Sequence, residues 1–114
     1  MNLLRLIVNK MNKHYATEIQ VLDFRGISSD YDYFVIGSAQ NGRLAWALVE
    51  YIKEELAKHG YGIKKVEGDH ESRWILLDCD AIIVHLFVAE ERSIYQLEGL
   101  WADIPHVEID YDLQ

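Results

Sequence analysis

Three places in this chain carry residue types that could do chemistry. Gly37-Ser38 stands ahead of a helical pattern, and a Gly-Ser turn there could hold a triphosphate for nucleotidyl transfer. That reaction also needs two nearby carboxylates to bind divalent metal. The candidate pair, Asp78 and Asp80, follows only about forty residues later, at an expected hairpin turn, so a structural turn before a helix is the better reading of Gly37-Ser38. Asp78 and Asp80 could instead ligate a metal together with His85, since imidazole and carboxylates are suitable ligands. His85, however, lies well down the returning strand from the turn, where a histidine among apolar residues is expected to be packed. Cys79 has no base at a fixed offset and reads as a solvent-facing thiol at the turn. No Gly-rich phosphate loop, nucleophile elbow or zinc-binding H-E-x-x-H occurs.

What remains is recognition chemistry. Trp74, Leu76 and Asp78 alternate with Ile75 and Leu77, so they share one face of a strand. One of those two faces must pack on the chain's own helices. If the Trp74 face is the outer one, it presents an aromatic anchor beside Glu67, Asp69 and Glu71, the pattern of a protein-binding hot spot flanked by steering charge.

The elements that position these residues are legible in the periodicity. Leu3, Leu4, Ile7, Val8 and Met11 predict a first helix. Glu18 to Phe24 and Tyr33 to Ile36 read as strands. Asn41 can cap a helix running to about His59, with Leu44, Leu48, Ile52 and Leu56 on one face and Gly60 at the C-cap position. Ile63 to Glu67, Arg73 to Asp78 and Ala81 to Val88 read as three more strands, the last two forming a hairpin through Cys79 and Asp80. Glu90 to Trp101 returns to helical spacing, and Pro105 marks the exit. Two strands followed by a crossover helix allow a parallel pair and the late hairpin is antiparallel, so the expected fold is α/β, a mixed sheet flanked by helices.

Composition narrows the function classes. At 114 residues the chain fits one domain, and with half its residues hydrophobic and 26% charged it has the balance of a globular protein. A single cysteine excludes an internal disulfide and a multi-cysteine zinc site within one chain. The apolar run from Ala81 to Ala89 is far short of the ~20 residues of a membrane helix. No signal or transit pattern is evident, and a cytoplasmic location is expected. The net charge of −8 is unevenly spread: nine basic against seven acidic residues up to Val66, then two against twelve from Glu67 onward. Such a half repels phosphate backbones and attracts a basic protein, so direct nucleic-acid binding is not expected.

The same residues carry a family likeness. V-L-D-F-R-G-I-S-S (21–29), D-Y-F-V-I (32–36), V-E-G (66–68), R-W-I-L-L-D (73–78), I-V-H-L-F (83–87) and E-x-R-x-x-Y-x-L-E-x-L-W (90–101) occur in order. In this series the chain resembles the ribosomal silencing factor family, also called the Iojap family, from about Leu3 to Pro105. The resemblance implies one domain over residues 1–105 with a C-terminal tail over 106–114. It implies a mixed five-stranded sheet on a nucleotidyltransferase-like scaffold without the catalytic residues, and no cofactor. It further implies a translational repressor that binds ribosomal protein L-fourteen of the large subunit and sterically blocks joining of the subunits. Carried over by position, Trp74 and Leu76 would supply apolar contact, while Glu67, Asp69 and Asp78 would face basic residues of the partner. His85, Tyr95 and Trp101 match the pattern and would shape that surface. The chain departs from the family at Asp80-Ala81, where the family has Gly-Asp, and at Gly99, where it has a basic residue.

Repression by docking is therefore the leading expectation. A nucleotide-binding or nucleotidyl-transferring enzyme using Gly37, Ser38, Asp78 and Asp80 is the alternative, and a homodimer through the hairpin is a third reading that could accompany repression.

Overall fold

The structure, a computed structural model, describes residues 2–91 and 102–109. Helix α1 (Asn2–Lys13) buries Leu3, Ile7, Val8 and Met11 along one stripe. It ends where Tyr15 turns to a φ of 71° and the Ala16 N–H bonds back to the Met11 carbonyl. Strand β1 (Thr17–Asp23) then runs antiparallel to β2 (Tyr33–Ala39). All seven residues of β2 are buried, as expected of a strand with neighbours on both edges and layers on both faces.

Helix α2 (Gly42–Lys58) starts at Asn41, whose side chain accepts the Leu44 N–H at 2.8 Å. It closes with Gly60 at a φ of 81° and the Tyr61 N–H bonded to the Leu56 carbonyl, the left-handed ending that glycine allows. Three strands follow: β3 (Lys65–Glu67), β4 (Trp74–Asp78) and β5 (Ile82–Val88). A last short strand, β6 (His106–Val107), pairs antiparallel with β1. The sheet order is β3-β4-β5-β2-β1-β6, with β2 and β5 parallel at the centre and every other pair antiparallel.

The mixed sheet expected from the sequence is thus present, with six strands where five were expected. The sixth, β6, comes just after the expected domain boundary at 105; two residues are too few to show a period of two. Residues 89–91 are helical, and the remainder of the helix expected from Glu90 to Trp101, with Tyr95 and Trp101, lies outside the described residues.

Helices α1 and α2 lie on one face of the sheet. Their apolar stripes pack on Val21, Val35, Ile75, Leu77, Val84 and Leu86 in one aliphatic core. A second, aromatic cluster occupies the opposite face: Leu22, Phe24, Phe34, Ile36 and Phe87, joined by Tyr31, Trp74 and Ile83.

Candidate functional site

Pairing partners in a sheet point to the same side, so the register assigns each side chain to a face. Glu67 stands opposite Leu76 and Lys65 opposite Asp78. Trp74 stands opposite Phe87, Leu76 opposite His85, and Asp78 opposite Ile83. In the parallel pair, Phe34 neighbours Ile83 and Ile36 neighbours His85. Trp74, Leu76, Asp78, Glu67 and His85 therefore share the face turned away from α1 and α2. Burial along β4 follows the same alternation, with Ile75 and Leu77 fully buried and Trp74, Leu76 and Asp78 half-buried.

The aromatic groups interlock. Trp74 stacks on Phe87 with centroids 4.8 Å apart, and His85 lies 4.7 Å from Phe34. Trp74 Nε1 donates to His85 Nδ1 at 3.2 Å. Burial pushes the His85 imidazole down to about 4, so it is neutral near pH 7 and can accept that bond. This agrees with the expectation of a packed histidine.

The acidic groups on this face and in the loop between β3 and β4 are each held differently. Glu67 is exposed and pairs with Lys65 at 3.0 Å, a surface contact of small energy that a partner could replace. Asp69 serves its own loop. Its Oδ1 accepts the Glu71 N–H at 2.9 Å, and its backbone N–H donates to Ser72 Oγ at 2.9 Å. The backbone bond from Glu71, with further help from Ser72, holds the Asp69 carboxyl below its usual range. Arg73 is engaged by Glu91 at 2.9 Å and Glu90 at 3.3 Å.

The hairpin turns over Asp80 and Ala81 rather than over Cys79 and Asp80, closed by the Cys79 N–H on the Ile82 carbonyl at 2.9 Å. Asp80 takes a φ of 69°, and its N–H is held by Asp78 Oδ1 at 2.9 Å. The expected two-residue loop through Cys79 would have paired Asp78 with Ala81; the observed partner is Ile83. A slip of two residues leaves every side chain on its face, so Trp74 and His85 still meet, but as diagonal neighbours.

Several chemical expectations are corrected. Cys79 is 3% exposed, packed in the aliphatic core, and burial with Asp78 nearby pushes its thiol up to about 12; it is neither solvent-facing nor a nucleophile. Gly37 and Ser38 are not a turn but the interior of β2, paired with Leu86 and Phe87. A Cβ at Gly37 would run into Met11 Cε, so this glycine admits α1 close to the sheet. Gly37 lies two strands across from Asp78 and three positions farther along, about 10 Å of strand, so the two cannot share one triphosphate and its metal. Among the described residues no group of three His, Cys, Asp or Glu could hold a metal ion. Nor is any helix among them long and apolar enough to cross a membrane.

Sequence reading passed over Phe34 and Phe87 as components of the Trp74 site. The sequence carried no signal for this pairing: Trp74 stands opposite Phe87 because the turn falls on Asp80 and Ala81 in the structure.

Comparison with known proteins gives concordant results. The family model described as "Ribosomal silencing factor during starvation" matches residues 1–114. Ribosomal silencing factor RsfS of Bacillus subtilis is 35% identical over 112 residues, covering 98% of this chain and 95% of that protein. The mouse protein named "Mitochondrial assembly of ribosomal large subunit protein 1" is 31% identical over 100 residues, covering 84% of this chain and 43% of its own length. A crystal structure from Bacillus halodurans superposes with a TM-score of 0.83 at 34% identity, covering 95% of this chain and 98% of that one.

Proposed function

The chain belongs to the family of ribosomal silencing factors, a regulatory family rather than an enzyme family, and we propose that it represses translation by docking on the large subunit through its β4 face. Trp74 and Leu76 form the apolar centre of the contact; Glu67 and Asp78 are its acidic rim. The partner is a basic surface of the large subunit, ribosomal protein L-fourteen, and occupying it blocks the small subunit sterically without any bond being made or broken. The observation that carries this reading is the half-buried Trp74-Leu76-Asp78 row on the side of the sheet away from α1 and α2. Anchors of this type dominate interface energies, and rim carboxylates steer a basic partner. The words "large subunit" in the mouse relative's name favour that subunit over the small one. A cytoplasmic site of action goes with this role.

Sedimentation with purified large subunits tests the proposal. Wild-type protein should co-migrate at low salt and lower the yield of joined subunits, and Trp74→Ala and Asp78→Lys should weaken both effects. Binding unchanged by either substitution would place the contact elsewhere.

A further inference from the structure

Trp74 carries one hydrogen-bond donor, and the fold has already assigned it. Nε1 donates to His85 Nδ1 at 3.2 Å, along the diagonal between β4 and β5. The acceptor is held firmly: His85 is 4% exposed and packed at 4.7 Å from Phe34, with its ring nearly parallel to that of Phe87 at 6.4 Å. Trp74 itself is half-buried and stacked on Phe87. An indole that becomes covered by a partner loses water from its N–H, and an N–H then left without an acceptor weakens binding.

We infer that His85 is the positioning residue of the docking face: it fixes the Trp74 indole in one orientation and keeps its N–H bonded when a partner covers the ring. The inference rests on the docking reading above and adds to it a statement about the partner's chemistry. With its donor engaged, Trp74 has only its ring to offer, so the partner meets it with aliphatic stems or a cation over the π face and not with a hydrogen-bond acceptor. A basic protein, whose lysine and arginine side chains combine both, fits that requirement. His85 makes its contribution from beneath the surface, through Trp74.

A double-mutant cycle read against purified large ribosomal subunits tests this. His85→Phe in the otherwise wild-type chain should weaken binding roughly tenfold or more, because covering the ring now strands the indole N–H. In the Trp74→Phe background, which has no N–H to strand, the same substitution should change affinity by less than about twofold. His85→Asn keeps a neutral acceptor near the position of Nδ1 and should recover binding to within about threefold of wild type. Equal losses from His85→Phe in both backgrounds would reduce His85 to a packing residue and overturn the inference; so would no loss in either.

A second readout needs no ribosome. The indole N–H resonance that disappears in Trp74→Phe should lie downfield and exchange slowly in the wild type, then move toward a solvent-exposed position in His85→Phe. A resonance indifferent to His85 would also overturn the inference. Undiminished subunit binding by Trp74→Ala marks the other failure, that of the docking reading itself.

Discussion

On the side of the sheet that meets α1 and α2, β4 contributes Ile75 and Leu77, both wholly buried among aliphatic side chains. On the other side the same five-residue strand contributes Trp74, Leu76 and Asp78, all half-buried, with Trp74 packed among rings. The first face is packed by shape alone. The second contains a directed hydrogen bond, an imidazole kept neutral by burial, and carboxylates at its border. Because successive side chains alternate across a strand, a single segment can hold the fold together with its odd positions and offer a docking surface with its even ones. The two sets are free to change separately, and this separation can be challenged by experiment.

The largest expected effect falls on the aliphatic face. Leu77→Ala should cost about 2–5 kcal/mol of stability, read as a lowered denaturant midpoint, while the protein that remains folded binds large subunits as before. Weakened binding by the folded fraction would break the separation of the faces.

Next in size is an acid sensitivity located on the aromatic face. The folded-state pKa of His85, about 4, lies below its ordinary value of 6.5, so the unfolded chain binds more protons between those values. Stability is therefore fully present above pH 6.5 and falls as pH drops toward about 4, by at most about 3 kcal/mol. The described groups packed on the imidazole are the uncharged rings of Trp74, Phe34 and Phe87. Unfolding series across this range should be steep for the wild type and flatter for His85→Phe. His14, lowered by burial and then by Lys10 and Lys13, leaves a residual slope of the same sign.

Trp74→Ala should cost on the order of 2 kcal/mol in large-subunit binding, about thirtyfold, measured as the shift in a sedimentation or fluorescence titration. Asp78→Lys and Glu67→Lys should act chiefly on the rate of association. The slowing should be several-fold at low salt and fade near 1 M, where screening reaches about 3 Å. A salt-independent loss would mean that these carboxylates make contact instead of steering.

The smallest effect belongs to the turn that joins the two strands. Asp80→Gly relieves a left-handed backbone on a residue with a Cβ and should raise stability by about 0.5 kcal/mol, visible as a small rise in melting temperature. Docking should not change.

Much of the fold was legible because local rules operate where the chain is regular. The stripes of α1 and α2, the Asn41 cap, the Gly60 ending and the alternation from Trp74 to Asp78 each rest on contacts within a few residues. The misreadings have non-local causes. Gly37-Ser38 resembled a turn because glycine and serine favour turns, yet β1 and β5 flank them and Met11 needs the space above Gly37. Cys79 at the expected hairpin turn suggested exposure, but it sits on the face that the helices cover.

By itself, the sequence determined the alternation of β4, the acidic excess from Glu67 onward, and an order of elements that allows a mixed sheet. Those properties depend on residue spacing and composition, which do not change as the chain folds. Tertiary structure alone decided which side of β4 the helices occupy, and which residues across the hairpin stand opposite Trp74. The first choice is made by long-range packing of α1 and α2 on Ile75 and Leu77, and the second by a turn placed on Asp80 and Ala81. Together they bring the donor of Trp74 to the acceptor of His85, eleven positions away in the chain.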